Sequence, residues 1–318
     1  MKNGIGSFKL RQGIPGSVSP HLASRPASER RSPFVSCILT AIEICSHLFA
    51  LLHSVAMARQ RLGQHFLGDI GWRKRILATL PLAANDTWFE IGPGHGEMTQ
   101  FLAGEGRRVV ALEADPKLAE GLRASSDTDP GQWAGVEIVS GDVLATDFGS
   151  LTAGTFHVYG NLPYYITSPI LHHMFRWAGQ ISSIHIVVQL EVAQRIAANP
   201  GVRDYGYLST VCQFYAKPKI ALRIPPGAFR PPPRVKSALV SMTPLGERAN
   251  LNVGDEKRFL GFVQNCFGQK RKTLRNNLLG MASDNKIHEA LAAAGLRSDV
   301  RAEQLTLTEF AELFARLL

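Results

Sequence analysis

The spacing of apolar residues changes repeatedly along the middle of the chain, and each change marks a predicted element. Short apolar runs typical of buried strands alternate with stretches in which apolar residues recur every three or four positions. The predicted strands are 87–91, 108–112, 136–139, 156–159 and 184–188. The predicted helices are 70–80, 97–103, 116–124, 168–177 and 191–198. This alternation predicts an α/β fold with a mostly parallel sheet and helices on both faces.

The pattern changes after Tyr207. Three further apolar runs predict strands at 208–215, 219–224 and 238–242, and Pro244-Leu245-Gly246 is typical of a junction. Beyond it, residues 255–318 show only helical spacing. We therefore predict two folded parts, an α/β domain at 57–245 and a small all-helical domain at 246–318.

The first 56 residues follow neither pattern. Residues 1–33 are rich in Gly, Ser, Pro and Arg, which predicts disorder, and residues 34–56 form a largely apolar run that Glu43, His47 and His53 interrupt. Every motif described below follows Met57. Three interpretations stay open: an extension assigned upstream of a true start at Met57, which we favour, a genuine but dispensable extension, and a signal or membrane anchor.

Composition narrows the class of protein. Hydrophobic residues make up 45% of the 318 residues, which excludes a mainly disordered chain. The formal net charge is +9, and the first 56 residues hold six basic and two acidic side chains, so the rest of the chain carries +5. This excess of positive charge favours a polyanionic partner such as nucleic acid.

The cysteines indicate a reducing compartment. The four lie at scattered positions without a CxxC pair, so neither a zinc site nor a disulfide framework is predicted; they are Cys37, Cys45, Cys212 and Cys266. Four histidines in apolar surroundings are interpreted as structural, with no metal inferred: His157, His172, His173 and His185.

Four successive predicted strands end in distinctive residues, at the edge of an open α/β sheet where ligands bind. Glycines at 92, 94 and 96 let a ligand approach the backbone, and Glu113, about 20 residues on, suits ribose hydroxyls. Glu97 replaces the last glycine of a dinucleotide fingerprint, which favours a ligand without a pyrophosphate. Asp142 could accept from an adenine amino group. The alternatives are a tight turn, a solvated strand end and a helix N-cap.

The fourth strand end, Asn161-Leu162-Pro163-Tyr164, carries the most specific signal. Proline fixes the turn, so the Asn161 carboxamide and the Leu162 carbonyl can direct acceptors at one point. Two acceptors on an aromatic amine localise its nitrogen lone pair and make it nucleophilic. Tyr164 offers a ring for stacking a base held outside its helix. The alternative is a proline turn with Tyr164 in the core.

Together, these motifs resemble the KsgA (RsmA) family of S-adenosylmethionine-dependent rRNA adenine dimethyltransferases. The resemblance covers roughly residues 58–318, and its motifs are Gly63-Gln64-His65-Phe66-Leu67, the glycine turn, Asn161-Leu162-Pro163-Tyr164, the segment 229–237 and the basic stretch 267–275. It implies a Rossmann-like class I methyltransferase domain and a helical C-terminal domain for RNA recognition. The implied substrate is two adjacent adenosines near the 3′ end of small-subunit (16S) rRNA, within 30S pre-ribosomal particles.

The resemblance also implies site residues. Catalysis falls on Asn161, Leu162, Pro163 and Tyr164. Contacts to S-adenosylmethionine fall on His65, Leu67, Gly92, Gly94, Glu113, Asp142 and Asn161. Substrate contacts fall on Tyr164, on Phe229 as a second wall for the base or as plain core, and on a basic stretch that is otherwise a solvated helix face: Lys270, Arg271, Lys272 and Arg275. The family often has Asn where His65 and Tyr165 stand.

Three other functions stay open beside this one. They are an Erm-type or other adenine methyltransferase, a non-catalytic ribosome-assembly factor, and a membrane-anchored protein that depends on residues 34–56 alone. We expect a cytoplasmic monomer whose folded part does not contact a membrane.

Overall fold

The computed structural model describes residues 65–163 and 165–318, and its centre is one seven-stranded sheet. The strands are β1 Thr87–Ile91, β2 Arg108–Glu113, β3 Val136–Ser140, β4 Phe156–Asn161, β5 Ile181–Gln189, β6 Ala216–Ile224 and β7 Ser237–Pro244. Their order across the sheet is β3-β2-β1-β4-β5-β7-β6. The first five strands pair in parallel, and β7 is antiparallel to both of its neighbours. The predicted α/β class with a mostly parallel sheet is confirmed.

Helices cover both faces of this sheet. They are α1 Ile70–Leu77, α2 Thr99–Leu102, α3 Pro116–Thr128, α4 Phe148–Leu151, α5 Thr167–Met174, α6 Leu190–Ile196 and α7 Tyr207–Tyr215. Adjacent residues of a strand point to opposite faces, so Phe89 joins the core with α5 to α7, whereas Trp88 joins the core with α1 and α2. Because both faces are buried, the central strands have continuous apolar runs.

One predicted strand is wrong. Residues 208–215 belong to helix α7, which begins after Gly206. The side-chain hydroxyl of Ser209 accepts from the Gly206 amide at 3.1 Å, and the Thr210 hydroxyl donates to the Gly206 carbonyl at 3.0 Å. The helix is packed on one side by the sheet and on another by the C-terminal helices, so most of its positions are apolar and even Ser209 and Thr210 are buried. A short apolar run of this kind cannot be distinguished from a strand by periodicity.

Residues 246–318 contain only helices and turns, as predicted. The helices are α8 Glu256–Cys266, α9 Leu274–Leu278, α10 Asp284–Ala293 and α11 Leu307–Leu317. Each begins at a side-chain cap, and Thr306 forms a capping box with Glu309. These helices enclose a core that also takes in Tyr205 and Phe214 from the sheet-bearing part. The domain boundary at 245/246 stays a prediction.

Two further observations concern membrane-spanning helices and cysteines. Within the described ranges, no helix is both long enough and apolar enough to cross a membrane. Cys212 and Cys266 are buried and free. The predictions for residues 1–56, including a signal or anchor, lie outside the described residues.

Candidate active site

The register of the parallel strands brings the predicted residues to one edge of the sheet. Ile91 of β1 lies opposite Leu112 of β2 on one side and Gly160 of β4 on the other. The residues that follow these positions therefore lie side by side. They are Gly92, Glu113 and Asn161, the three that the sequence placed at successive strand ends.

The glycine turn is shaped by two different constraints. Its glycines have φ values of +69°, +62° and +83° at positions 92, 94 and 96, which favour glycine over other residues. A Cβ on Gly94 would lie 2.7 Å from the ring of Phe66, so this glycine is required by packing. Among the described residues, a Cβ on Gly92 would have only the Asn161 carbonyl oxygen within 4 Å, at 4.0 Å. The space beside Gly92 therefore faces the turn that begins at Asn161.

Glu113 is buried at the end of β2, with 4% of its surface exposed. Its two carboxylate oxygens accept from the backbone amides of Gly94 and Asp115, each at 3.0 Å. Burial raises the pKa of the carboxyl group, and these amide bonds oppose that shift. A carboxylate has about four acceptor positions, so two amide bonds leave capacity for ligand hydroxyls.

Asp142 caps the short 3₁₀ helix Val143–Ala145. Its Oδ1 accepts from the Leu144 amide at 2.9 Å, which is the N-cap that the sequence left open as an alternative. The cap fixes the side chain through Oδ1 and leaves Oδ2 as a second acceptor. The negative charge of Asp142 also helps to raise the pKa of Tyr165, after the larger effect of partial burial.

The segment around Phe66 connects three motifs that are distant in sequence. Asn161 donates from Nδ2 to the carbonyl of His65 at 2.8 Å, and His65 donates from Nδ1 to the carbonyl of Pro231 at 2.7 Å. The backbones of Phe66 and Arg230 exchange two hydrogen bonds, of 3.0 and 2.8 Å. The His65 carbonyl thus fixes the amide plane of Asn161, so that Oδ1 is the group left to accept from a ligand.

The remaining predicted residues near this edge are Leu67, Leu162, Pro163 and Tyr164. The side chains of Leu67 and Leu162 are buried, so any ligand contact from them involves the backbone. The Pro163 carbonyl accepts from the Ile166 amide at 3.2 Å, which closes the turn into α5. Tyr164 lies outside the described residues, and its stacking role stays a prediction.

Phe229 is fully buried, with 0% exposure, in the core that contains Trp88 and Tyr159. In this structure it presents no surface to a base, which agrees with the alternative that it is plain core. The residue is one step from Arg230, so its burial anchors the strand-like pairing with Phe66. Phe229 therefore supports the site through the backbone pairing of Arg230 with Phe66 and does not line it.

Lys270, Arg271 and Lys272 lie in a turn between α8 and α9, whereas Arg275 lies in α9, so the single helix face considered for the basic stretch is wrong. Arg275 forms a bidentate ion pair with Asp284 at 2.6 Å. Lys270 donates to the carbonyl of Arg203 and lies 3.9 Å from Glu303. Arg271 and Lys272 are exposed. The Asn277 side chain holds this turn, because its Oδ1 accepts from the Gln269 amide at 3.2 Å and its Nδ2 donates to the Gln269 carbonyl at 3.3 Å.

Glu90 is a buried group that the sequence did not single out. It lies directly opposite Tyr159 in the β1–β4 pairing, and among the described residues neither Glu90 Oε2 nor the Tyr159 hydroxyl has a hydrogen-bond partner. Burial raises the pKa of Glu90 to about 8. The acidic residue in an otherwise apolar strand was the available signal, since a buried carboxyl group is rare in a core.

The histidines have partners within the protein. His185 shares hydrogen bonds with Ser183 at 2.8 Å and Ser241 at 2.9 Å, and His157 shares one with Ser183 at 2.7 Å. His172 stacks on Tyr207, with ring centroids 5.4 Å apart. In the described part of the chain, no cluster of three or more histidine, cysteine or acidic residues could hold a metal ion.

A comparison with protein-family models identifies the family to which a chain with these site residues belongs. A family model described as Ribosomal RNA adenine dimethylase matches residues 55–318. The chain belongs to the ribosomal RNA adenine dimethylase family. The resemblance inferred from the motifs is therefore confirmed.

Relatives of this family member carry consistent names. The Ribosomal RNA small subunit methyltransferase A of Acidobacterium capsulatum is 41% identical over 265 residues, which cover 81% of this chain and 91% of that protein. The protein of the same name from Koribacter versatilis is 39% identical over 273 residues, which cover 81% and 94%.

Two solved structures support the fold of the family member. The 23S rRNA methyltransferase ErmE is 28% identical, with a TM-score of 0.59 over 79% of this chain and 99% of that chain. A dimethyladenosine transferase from Plasmodium falciparum is 21% identical, with a TM-score of 0.64 over 78% and 96%, and shows the fold alone. The predicted Rossmann-like methyltransferase fold is confirmed.

Proposed function

We propose that this chain transfers methyl groups from S-adenosylmethionine to the N6 atoms of two adjacent adenosines in small-subunit rRNA. The observation that carries the proposal is the Asn161 carboxamide, fixed by the His65 carbonyl at 2.8 Å beside the open side of Gly92. The family supplies the reaction class, and the relatives named for the small subunit favour this RNA over the large-subunit RNA. We propose 30S pre-ribosomal particles as the partner, with a cytoplasmic monomer as the acting form.

The residues at the strand ends suit S-adenosylmethionine. Glu113 is held by two amides with acceptor positions left for ribose hydroxyls, and Asp142 has Oδ2 for the adenine amino group. Gly92 leaves space where a side chain would stand. When bound, S-adenosylmethionine supplies a methyl group already activated by a sulfonium. We assign Glu113, Asp142, Gly92 and the backbone of His65 to hold it.

The protein's part in the reaction is to position and polarise the target amine. Asn161 Oδ1 and the Leu162 carbonyl accept its two hydrogens, which localises the nitrogen lone pair toward the methyl group. We assign Tyr164 to stack on the adenine ring. After methyl transfer the nitrogen is strongly acidic and loses a proton to water, so the site needs no strong general base. The second methylation uses the same acceptors on the one remaining N–H.

The direct test is mass mapping of methylated adenosines in small-subunit particles after incubation with the protein and S-adenosylmethionine. Two adjacent dimethyladenosines near the 3′ end are expected. Modification of large-subunit RNA instead would support the alternative of an Erm-type enzyme, which the 28% identity to ErmE keeps open. Cofactor binding without any methylation would support a non-catalytic assembly factor, and calorimetry measures that binding.

A second test separates the roles of two residues in the turn. Asn161→Ala removes an acceptor aimed at the reacting nitrogen, so single-turnover methylation at saturating cofactor is expected to fall on the order of 10²-fold or more. Tyr164→Ala removes stacking worth about 1–3 kcal/mol, whereas Tyr164→Phe keeps the ring and most of the activity. A near-normal rate for Asn161→Ala would make the turn structural, and a dead Tyr164→Phe would contradict stacking.

A further inference from the structure

The exposed edge of the sheet carries an unusual distribution of charge. From residue 205 to residue 246 the chain contains six basic residues and no aspartate or glutamate. The basic residues are Lys217, Lys219, Arg223, Arg230, Arg234 and Lys236. This segment includes β6, which is the edge strand of the sheet, and the proline-rich loop that joins β6 to β7. All six side chains belong to exposed residues.

Several partly or fully exposed arginines elsewhere in the described chain are neutralised by carboxylates of the protein. Arg108 pairs with Glu137, Arg275 with Asp284 and Arg297 with Asp299, each at 2.6 Å. On the edge, by contrast, Lys217, Lys219, Arg223, Arg234 and Lys236 form no side-chain hydrogen bond or ion pair with any described residue. Their charges are therefore available to an external anion.

The pairing of the strands places these cations relative to the catalytic turn. At the carboxyl edge Asn161 lies opposite Val187, Gln189 opposite Ser237, and Ser237 opposite Ile224. Neighbouring strands are about 4.8 Å apart, so β6 runs roughly 15 Å from β4. Lys236 and Arg223 each precede a paired residue at this edge. The strip continues along β6 for about 20 Å, to Lys217, at about 3.3 Å per residue.

We propose that this strip, defined as Lys217, Lys219, Arg223, Arg234 and Lys236, binds the phosphate backbone of the rRNA that flanks the target adenosines. The inference rests on the proposed function. It assigns RNA contacts to the α/β part of the chain, separate from the basic turn between α8 and α9. Lys217 and Lys219 lie two residues apart, opposite Thr243 and Ser241, so they share one face at a spacing of about 6.6 Å.

Two other roles could explain the exposed cations of the strip: protection of the sheet edge and binding to a membrane. Each role predicts a different outcome in the experiments described below. Lysine and proline on an edge strand protect it from pairing with another chain, and the Lys217-Pro218-Lys219 sequence fits that role. An anionic membrane would also attract cations. However, the exposed residues of β6 are only its three cations, and Val235 is the one large apolar residue exposed between the strip's other cations, whereas membrane-binding faces need a broad exposed apolar surface.

The experiment measures RNA binding by the full chain as a function of salt, with a fragment of small-subunit rRNA that contains the 3′-terminal hairpin. Two variants remove two charges each, Lys217→Gln with Lys219→Gln, and Arg234→Gln with Lys236→Gln. Each is expected to flatten the log–log salt slope by about 1.4 to 1.8 and to raise KM for the particle without changing kcat. The matched control, Arg123→Gln with Arg176→Gln, removes two exposed cations away from this edge and is expected to keep the wild-type slope.

A third variant, Lys217→Glu with Lys219→Glu, keeps the edge charged and so protected against pairing. Monomeric behaviour with weakened RNA binding is the expected result. Wild-type RNA affinity and salt slope in the glutamate variant would overturn the proposal in favour of edge protection. Loss of sedimentation with phosphatidylglycerol vesicles, at an unchanged RNA slope, would overturn it in favour of a membrane. Failure of wild-type protein to methylate adenosines is a separate result, because RNA binding is measured without catalysis.

Discussion

Glu113 has two partners within the protein independently of any ligand. Its oxygens hold the amides of Gly94 and Asp115, so the same carboxylate that suits ribose also fixes the glycine turn. Substitution therefore changes both the ligand contact and the shape of the site. The two effects are separable, because only one of them alters the stability of the protein without cofactor.

Glu113→Ala is expected to weaken S-adenosylmethionine binding by roughly 1.5–3 kcal/mol, or about 10- to 150-fold in Kd, because hydrogen bonds to a charged group are lost. Calorimetry measures the affinity, and thermal unfolding without cofactor measures the structural part. Glu120→Ala, which removes an exposed carboxylate from α3, is the control and should bind normally. An unchanged Kd in Glu113→Ala would show that the acid serves only the turn.

Glu90 makes the stability of the fold depend on pH. Its pKa is raised from 4.5 to about 8 by burial, so the folded protein holds a proton that the unfolded chain releases across that interval. Unfolding then releases a proton, and the free energy of unfolding falls as pH rises, by at most about 1.4 kcal/mol per pH unit. Below pH 4.5 both states hold the proton and the dependence ends.

Glu90→Gln is expected to remove this dependence, since glutamine cannot ionise. Denaturant unfolding between about pH 5 and pH 8 should show the variant gaining stability relative to wild type as pH rises. The exposed Glu289→Gln serves as control and should follow the wild-type curve. Parallel curves for wild type and Glu90→Gln would show that Glu90 is ionised in the folded protein.

At the residue scale, the sequence predicts which residues share the ligand edge but not how they are held. Glu113, Asp142 and Asn161 are recognisable because strand ends converge in a parallel sheet. The contact of Phe66 with Gly94 and the bond from Asn161 to the His65 carbonyl join residues that are distant in sequence. No local pattern encodes such contacts. Phe229 shows the same limit, because an aromatic residue beside a polar motif is compatible with either core or site.

Among the elements, the basic stretch that runs through the turn between α8 and α9 into α9 holds two kinds of cation. Lys270 and Arg275 are engaged within the protein, whereas Arg271 and Lys272 are exposed. The sequence left a solvated helix face open as the alternative to phosphate contacts for this stretch. The caps that end α8 and start α9 redirect the chain, so only part of the predicted set points to solvent without a partner.

If this turn contacts phosphates, replacing Arg271 and Lys272 with glutamine should flatten the salt dependence of RNA binding by about 1.4 to 1.8 in log–log slope. Cofactor affinity should not change. The matched pair, Lys270→Gln with Arg275→Gln, is expected to change the slope less, because carboxylates already neutralise those cations. Equal salt slopes for wild type and the Arg271, Lys272 variant would show that these two residues form a solvated surface and do not contact phosphates.

Helix α7 shows why the prediction of helix or strand fails for a segment that is buried on more than one side. The ten elements predicted between residues 70 and 198 are of the correct type, with ends shifted by a few residues. The run 208–215 contacts both cores and buries its polar residues Ser209 and Thr210, so the apolar spacing does not mark one buried face. Gly206 and the polar pair Ser209 and Thr210 were the local helix-start signals.

For the whole molecule, the sequence predicts that residues 1–56 are dispensable, because all motifs lie after Met57 and the family match covers 55–318. A chain that starts at Met57 is expected to keep the cofactor affinity, thermal stability and methylation rate of the full chain. Side-by-side measurement of these three quantities is the check. A lower melting temperature or weaker cofactor binding in the shorter chain would contradict the prediction.

Strand β7 lies between β5 and β6, although it follows both along the chain. The ribosome therefore releases β6 before the strand that connects β6 to the rest of the sheet. Until Pro244 has emerged, the nascent chain exposes the unpaired backbone of β5 and has no docking place for β6. Open strand edges of this kind pair with other chains. Translation that stops before residue 244 thus produces an association-prone fragment, whereas a stop shortly after it leaves a complete sheet that lacks the C-terminal helices.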